Sequence, residues 1–107
     1  MVTVFLANGF EEMEALAPID LLRRAGVKVQ TAAVGTNPAM HGGKVVTGSH
    51  GVSVLCDIAA EEVCEEEMEM LVLPGGGLGT KNLNESPVVD RWLHYAAEKG
   101  IWIAAIC

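Results

Sequence analysis

Residues 2–34, VTVFLANGFEEMEALAPIDLLRRAGVKVQTAAV, decide the fold. Val2–Ala7 is a short apolar run closed by the turn residues Asn8 and Gly9, which predicts a buried strand. Glu11, Glu12 and Glu14 then crowd a first helical turn, where carboxylates meet the positive end of the macrodipole. Met13, Leu16, Ala17, Leu21 and Leu22 recur at helical spacing and predict the buried face. Arg23 and Arg24 fill the last turn, and Gly26 supplies the left-handed residue that ends the helix. Pro18 has no N–H for the carbonyl of Glu14, so a local distortion just after Glu14 is expected. Val27–Val34 alternates and reads as a second strand. Strand, helix and strand joined by short turns form a βαβ unit, and with it a parallel sheet.

The remainder extends this pattern. A polar, glycine-rich excursion runs from Gly35 to Gly51, with Val45–Thr47 as a short strand inside it, and Val52–Cys56 is another. Six of the nine residues from Glu61 to Glu69 are glutamates, which fits a solvated connecting face. Met70–Leu73 is a compact apolar strand stopped by Pro74. Ser86 and Pro87 open a second helix as N-cap and first residue. Val88, Val89, Trp92, Leu93 and Ala96 line its buried face, and Gly100 ends it. Ile101–Ile106 is apolar throughout, as a central parallel strand covered on both faces is. The fold class is α/β, a doubly wound and mainly parallel sheet.

At 107 residues the chain makes at most one domain. Its net charge of −7 argues against nucleic acid and anionic membranes as partners. No segment reaches transmembrane length, and the start lacks a basic export signal. Three cysteines without paired metal spacing favour a reducing, cytoplasmic setting and no metal. The chain stops on Cys107, inside an apolar run. The expectation is that residues 1–107 are the N-terminal part of a single domain, cut after the strand that carries this cysteine, with a C-terminal segment elsewhere.

Cys107 is the first candidate for chemistry. It leaves a strand at its carboxyl end, where α/β folds present reactive groups. A helix starting directly after it would lower the thiol pKa; the competing reading is a small buried hydrophobe. Pro74-Gly75-Gly76-Gly77-Leu78-Gly79 is the second. It lacks the Gly-Lys-Ser/Thr of a P-loop and the third glycine of a dinucleotide fingerprint. Two readings stay open: a tight turn needing positive φ, or a nest of N–H groups that holds an oxyanion beside a nucleophile. Glu14 is the third. It borders the apolar stripe, and a carboxyl turned inward there would have a raised pKa and a proton to shuttle. Glu11 and Glu12 read as ordinary first-turn acids in solvent. His41, His50 and His94 have no ligand spacing around them, Cys56 ends a strand, and Cys64 sits among glutamates that make it a poor nucleophile.

Taken together, Gly9-Phe10-Glu11-Glu12-Met13-Glu14, Pro18 to Gly26, Leu73-Pro74-Gly75-Gly76 with Leu78-Gly79 and Asn82-Leu83, and Ala104-Ala105-Ile106-Cys107 resemble the ThiJ/PfpI superfamily. The branch they resemble is that of the parkinsonism-associated protein deglycase and its bacterial ThiJ-type relatives. The resemblance covers the whole chain in order. It implies a flavodoxin-like sandwich, a homodimer and no cofactor. It also implies Cys107 as the reactive cysteine on a nucleophile elbow and Glu14 as its protonated hydrogen-bond partner. Gly75 and Gly76 would serve as oxyanion donors, and Cys56 would lie toward the dimer contact. The family's helix after the elbow, and a histidine from later in the chain, have no counterpart here.

Three functions follow as expectations. One is a cysteine enzyme of the glyoxalase or protein deglycase kind, acting on small aldehydes or glycated proteins. Another is an oxidative-stress sensor or redox-regulated chaperone without turnover. A protease or amidase ranks last, since no base stands beside the thiol in the sequence.

Overall fold

The computed structural model describes residues 1–64 and 68–107; Glu65–Glu67, the middle of the acidic run, lie outside the described residues. Their neighbours Glu61, Glu62 and Glu69 are exposed, as a solvated connection requires.

Among the described residues seven strands and three helices follow one another as β1 (Val2–Ala7), α1 (Glu12–Arg24), β2 (Val29–Val34), β3 (Val45–Thr47), β4 (Ser53–Leu55), β5 (Ile58–Ala59), β6 (Met70–Leu73), α2 (Gly77–Asn84), α3 (Pro87–Lys99) and β7 (Trp102–Ala105). Five strands form a parallel sheet in the order β5-β2-β1-β6-β7. The chain winds from β1 to β2 on one side and lands β6 on the other, so the winding reverses at β1. β3 and β4 make a separate antiparallel ribbon.

Alternation along β1 divides the core. Val2, Val4 and Leu6 face a cluster with Ala15 and Ile19 of α1 and Val46 of the ribbon. Phe5 and Ala7 face the opposite cluster, with Leu83 of α2 and Val89, Trp92 and Ala96 of α3. Helices on both faces of a parallel sheet are the doubly wound arrangement.

The α3 boundaries match expectation. Ser86 accepts from the Val89 amide, Pro87 opens the helix, and Gly100 closes it in the left-handed region. Two expectations need correction. In α1 Glu12, Ala15 and Ile19 are buried and Leu16 and Leu22 pack against the same core as expected, but Met13 and Leu21 are 74% and 64% exposed, so the apolar stripe Met13, Ala17, Leu21 faces outward. The helix runs through Pro18 to Arg24 and stops where the last-turn arginines and Gly26 predict. Finally, β7 pairs with β6 alone, and Trp102, Ile103 and Ile106 are exposed; in this chain it is an edge strand and not a strand covered on both faces.

Candidate active site at Cys107

Three segments meet at the carboxyl end of β6 and β7. Parallel pairing of Leu73 with Ala105 brings both strand ends to one edge, and Ile106 N–H donates to the Leu73 carbonyl at 3.1 Å. Cys107 has φ +55° and is one of two non-glycine residues with positive φ among those described. Non-glycine residues occupy that region when the surroundings impose it, as at a strand-to-helix elbow that lifts a nucleophile out of the sheet. The thiol is free and exposed. It borders an apolar cleft of about 170 Å³ lined by Pro74, Thr80, Leu83 and Leu93.

The loop after β6 lies between this cysteine and α1. The Gly75 N–H donates to Glu14 Oε1 at 3.0 Å, and the Gly75 carbonyl accepts from the Glu11 amide at 2.9 Å. A Cβ on Gly75 would collide with Glu14 Oε1 and stand 2.9 Å from both Cys107 Cβ and the Ile106 carbonyl. Glu14 and Cys107 thus converge on the same glycine, around the one position its missing Cβ would fill. Gly76 has φ +105°, and a Cβ there would strike the Gly9 carbonyl and the Glu11 amide. Both readings of the glycine run find a basis: positive φ at Gly76, and close approach of backbone and carboxyl at Gly75. The amides divide, however. Gly75 N–H is engaged by Glu14, while the Gly76 N–H meets no acceptor among the described residues and sits at the N-terminus of α2.

α2 itself has no signal in the sequence. Its N-cap is Gly76, with no side-chain cap, and it opens Gly-Leu-Gly. It is held by backbone contact, since the Gly79 amide donates to the Gly9 carbonyl at 3.1 Å.

Glu12 overturns its sequence reading as a solvated acid. It is 8% exposed. Oε2 accepts from the amides of His50 (2.8 Å) and Val52 (3.3 Å), and Oε1 lies 3.3 Å from Ser49 Oγ and 3.2 Å from His50 Nδ1. Gly48 leaves room for it: a Cβ at that position would meet the carboxyl at 2.5 Å. Burial alone pushes the carboxyl up. The hydrogen bonds from its own amide, the His50 amide and ring, and the Val52 amide together outweigh burial and hold it at about 2. Glu11, Glu12 and His50 bring ligand atoms within 4.8 Å of one another. Both Glu12 oxygens already accept from the 48–52 loop, so the cluster is a loop anchor. Sequence reading missed it because its partners lie 37 to 40 residues away.

The other cysteines differ from Cys107 in kind. Cys56 is buried: desolvation pushes its thiol up, the Thr31 hydroxyl acts the other way, and the Asp57 charge adds to the rise, to about 11. It is a poor nucleophile at neutral pH. Cys64 is exposed on the acidic connection.

The chain as a whole is similar to known proteins. Protein dj-1beta of Drosophila melanogaster is 39% identical over 104 residues, 97% of this chain and 52% of its own length. Deglycase TK1284 of Thermococcus kodakarensis is 35% identical over 107 residues, covering 99% and 59% respectively. The structure of oxidized Toxoplasma gondii DJ-1 superposes with a TM-score of 0.88 at 36% identity, over 99% of this chain and 54% of that one. The chain spans about half the length of the curated relatives it matches. Among the described residues, no helix is long and apolar enough to cross a membrane. The model of the DJ-1/PfpI family matches residues 1–107 from end to end, and the chain belongs to that family.

Proposed function

We propose that Cys107 is the nucleophile of a cysteine-dependent, cofactor-free site for reactive carbonyls. The observation that carries the reading is the convergence of Cys107, at positive φ, and the Glu14 carboxyl on Gly75. The deglycase name of the Thermococcus kodakarensis relative points the same way. The Cys107 sulfur adds to the aldehyde carbon of methylglyoxal, and the carbonyl oxygen takes a proton to give a hemithioacetal. The Gly76 N–H, at the positive end of α2, faces the oxygen as charge develops. Glu14 holds Gly75 through Oε1 and keeps Oε2 for proton movement. It takes the proton from the aldehyde carbon and returns it to the neighbouring carbon, leaving a thioester. Water cleaves that thioester, releasing lactate and the free thiol, so that one aldehyde and one water become one hydroxy acid. Glycated protein side chains are the larger substrates of the same chemistry.

Replacing Cys107 with serine tests this reading. Lactate formation from methylglyoxal is expected to disappear, and turnover at the wild-type rate would refute it.

The exposure of Cys107, and the oxidized state in which the Toxoplasma gondii protein was solved, favour a second reading as an oxidative-stress sensor or redox-regulated chaperone. An exposed thiolate climbs to the sulfinic acid, which Glu14 would hydrogen-bond. Mass spectrometry after mild peroxide is expected to find two added oxygens on Cys107 and none on buried Cys56; oxygen on the other cysteines alone ends this reading.

Two partners belong to the proposal. The outward stripe Met13, Ala17, Leu21 of α1 suits a second copy of the chain, and Leu21→Glu is expected to shift a homodimer to monomer in sedimentation. The uncovered edge of β7 suits a further strand from a C-terminal segment. A cytoplasmic setting fits three free thiols.

A further inference from the structure

A cleft of about 450 Å³ opens over the carboxyl ends of β1 and β2, on the opposite side of α2 from the cleft at Cys107. Its volume falls in the range of small-molecule sites, roughly 300–1,000 Å³. It also occupies the position, beyond the carboxyl ends of parallel strands, where open α/β sheets take ligands. Val34, Ala60 and Val88 give it an apolar floor, and Asn8, Asn82 and Glu85 stand among its polar groups.

The two asparagines define what the cleft offers. Asn8 Oδ1 accepts from the Thr47 amide at 2.9 Å, so its amide orientation is fixed and its NH₂ is the group left over. Asn82 Nδ2 donates to the Asn8 carbonyl at 2.8 Å, so its Oδ1 is left over. Among the described residues neither leftover group has a partner. A donor on Asn8 and an acceptor on Asn82 thereby belong to the lining of one cleft, each side chain tied to backbone by its other group.

The charges are balanced in the same way. Glu61 and Glu85 border the cleft, and no lysine or arginine does, so an anion is repelled. The opposite wall is the N-terminus of α3 at Ser86 and Pro87, whose positive end disfavours a cation. A hydroxyl donates and accepts at once and carries no charge. We propose that this cleft binds a neutral, hydroxyl-rich small molecule of the monosaccharide class through Asn8 and Asn82, independently of the thiol site.

The test is an NMR titration of the full-length, ¹⁵N-labelled protein with glucose into the tens-of-millimolar range, with putrescine and inorganic phosphate in parallel. Glucose is expected to shift the side-chain NH₂ signals of Asn8 and Asn82 and the amides of Gly35 and Val88 along one saturating curve. Asn82→Ala is expected to weaken that binding roughly tenfold, the order of one lost hydrogen bond. The backbone amide spectrum of Asn82→Ala away from the cleft is expected to match that of the wild type, which separates lost binding from a lost fold. Cys107→Ser is expected to bind glucose as the wild type does. Shifts with putrescine or phosphate but none with glucose would overturn the proposal. So would glucose shifts that Asn82→Ala leaves unchanged.

Discussion

Glu12 and Glu14 stand two residues apart on α1, and their carboxyls live in opposite circumstances. Glu12 is buried, with both oxygens occupied by the 48–52 loop. Glu14 is half-buried and accepts one bond, from the Gly75 amide, beside an exposed thiol. Position in the first helical turn is equally favourable for both. What separates them is how many lone pairs the fold has already used. A saturated carboxylate is an anchor; one with an oxygen to spare beside a nucleophile is available for chemistry.

The largest effect expected from this contrast is on rate. Glu14→Gln keeps an acceptor for the Gly75 amide but cannot take up and return a proton. kcat/KM for methylglyoxal is expected to fall by roughly 10²–10⁴-fold, the usual worth of a positioned acid–base group, with Tm near that of the wild type. Glu12→Gln is expected to do the reverse, lowering Tm with kcat/KM changed only a few-fold, because one amide oxygen and an NH₂ cannot replace four acceptor contacts. Equal losses of rate in the two variants would erase the distinction.

Gly75 belongs to the Glu14 side of this contrast, and Gly77, two residues on, supplies the control. In Gly75→Ala the new methyl meets the Glu14 carboxyl, Cys107 Cβ and the Ile106 carbonyl at once. Overpacking of this kind costs about 1–3 kcal/mol, and displacing both reacting groups is expected to lower kcat/KM on the order of 10²-fold. Gly77 has open space around its Cβ position and lies in α2. Gly77→Ala is expected to stabilise by about 0.4–1 kcal/mol in urea denaturation and to leave the rate alone. If both alanines behave alike, the glycine run is merely a flexible loop.

How much of this was legible beforehand follows from the range of the forces involved. The βαβ unit, the Ser86–Pro87 start and the Gly26 and Gly100 stops are local, set by residues within one turn of each other, and they read correctly. The glycines at 75 and 76 and the cysteine at 107 were found by motif, and their convergence needed the sheet register that pairs Leu73 with Ala105. β5 was missed because two residues paired with β2 leave no periodicity to read. α2 was missed because glycine is a weak helix former and its start is fixed by contact with Gly9. The buried face of α1 was assigned only in part: Leu16 and Leu22 pack on the core, but Met13 and Leu21 look like core residues by composition and are not. The winning face holds a glutamate, and only the distant Ser49–Val52 loop makes burying it tolerable.

The subtlest consequence of the contrast lies in acid. The Glu12 carboxyl titrates at about 2 in the folded chain, against an ordinary value of 4.5. A depressed folded pKa means that the unfolded chain binds its proton first as pH falls. The contribution of Glu12 to stability is therefore fully present above about 4.5 and is lost progressively as pH drops from there toward 2. Urea denaturation in steps across that window is expected to show the wild-type unfolding free energy falling more steeply than that of Glu12→Gln. The two curves should converge toward the acid end. Every other carboxylate titrates in both proteins, so the difference in slope isolates this one group. Release of the 48–52 loop would accompany it, visible as a change in the His50 ring signals before global unfolding. Parallel curves would mean that the loop's N–H groups hold Glu12 no more tightly than water does, and the anchor side of the comparison would fall.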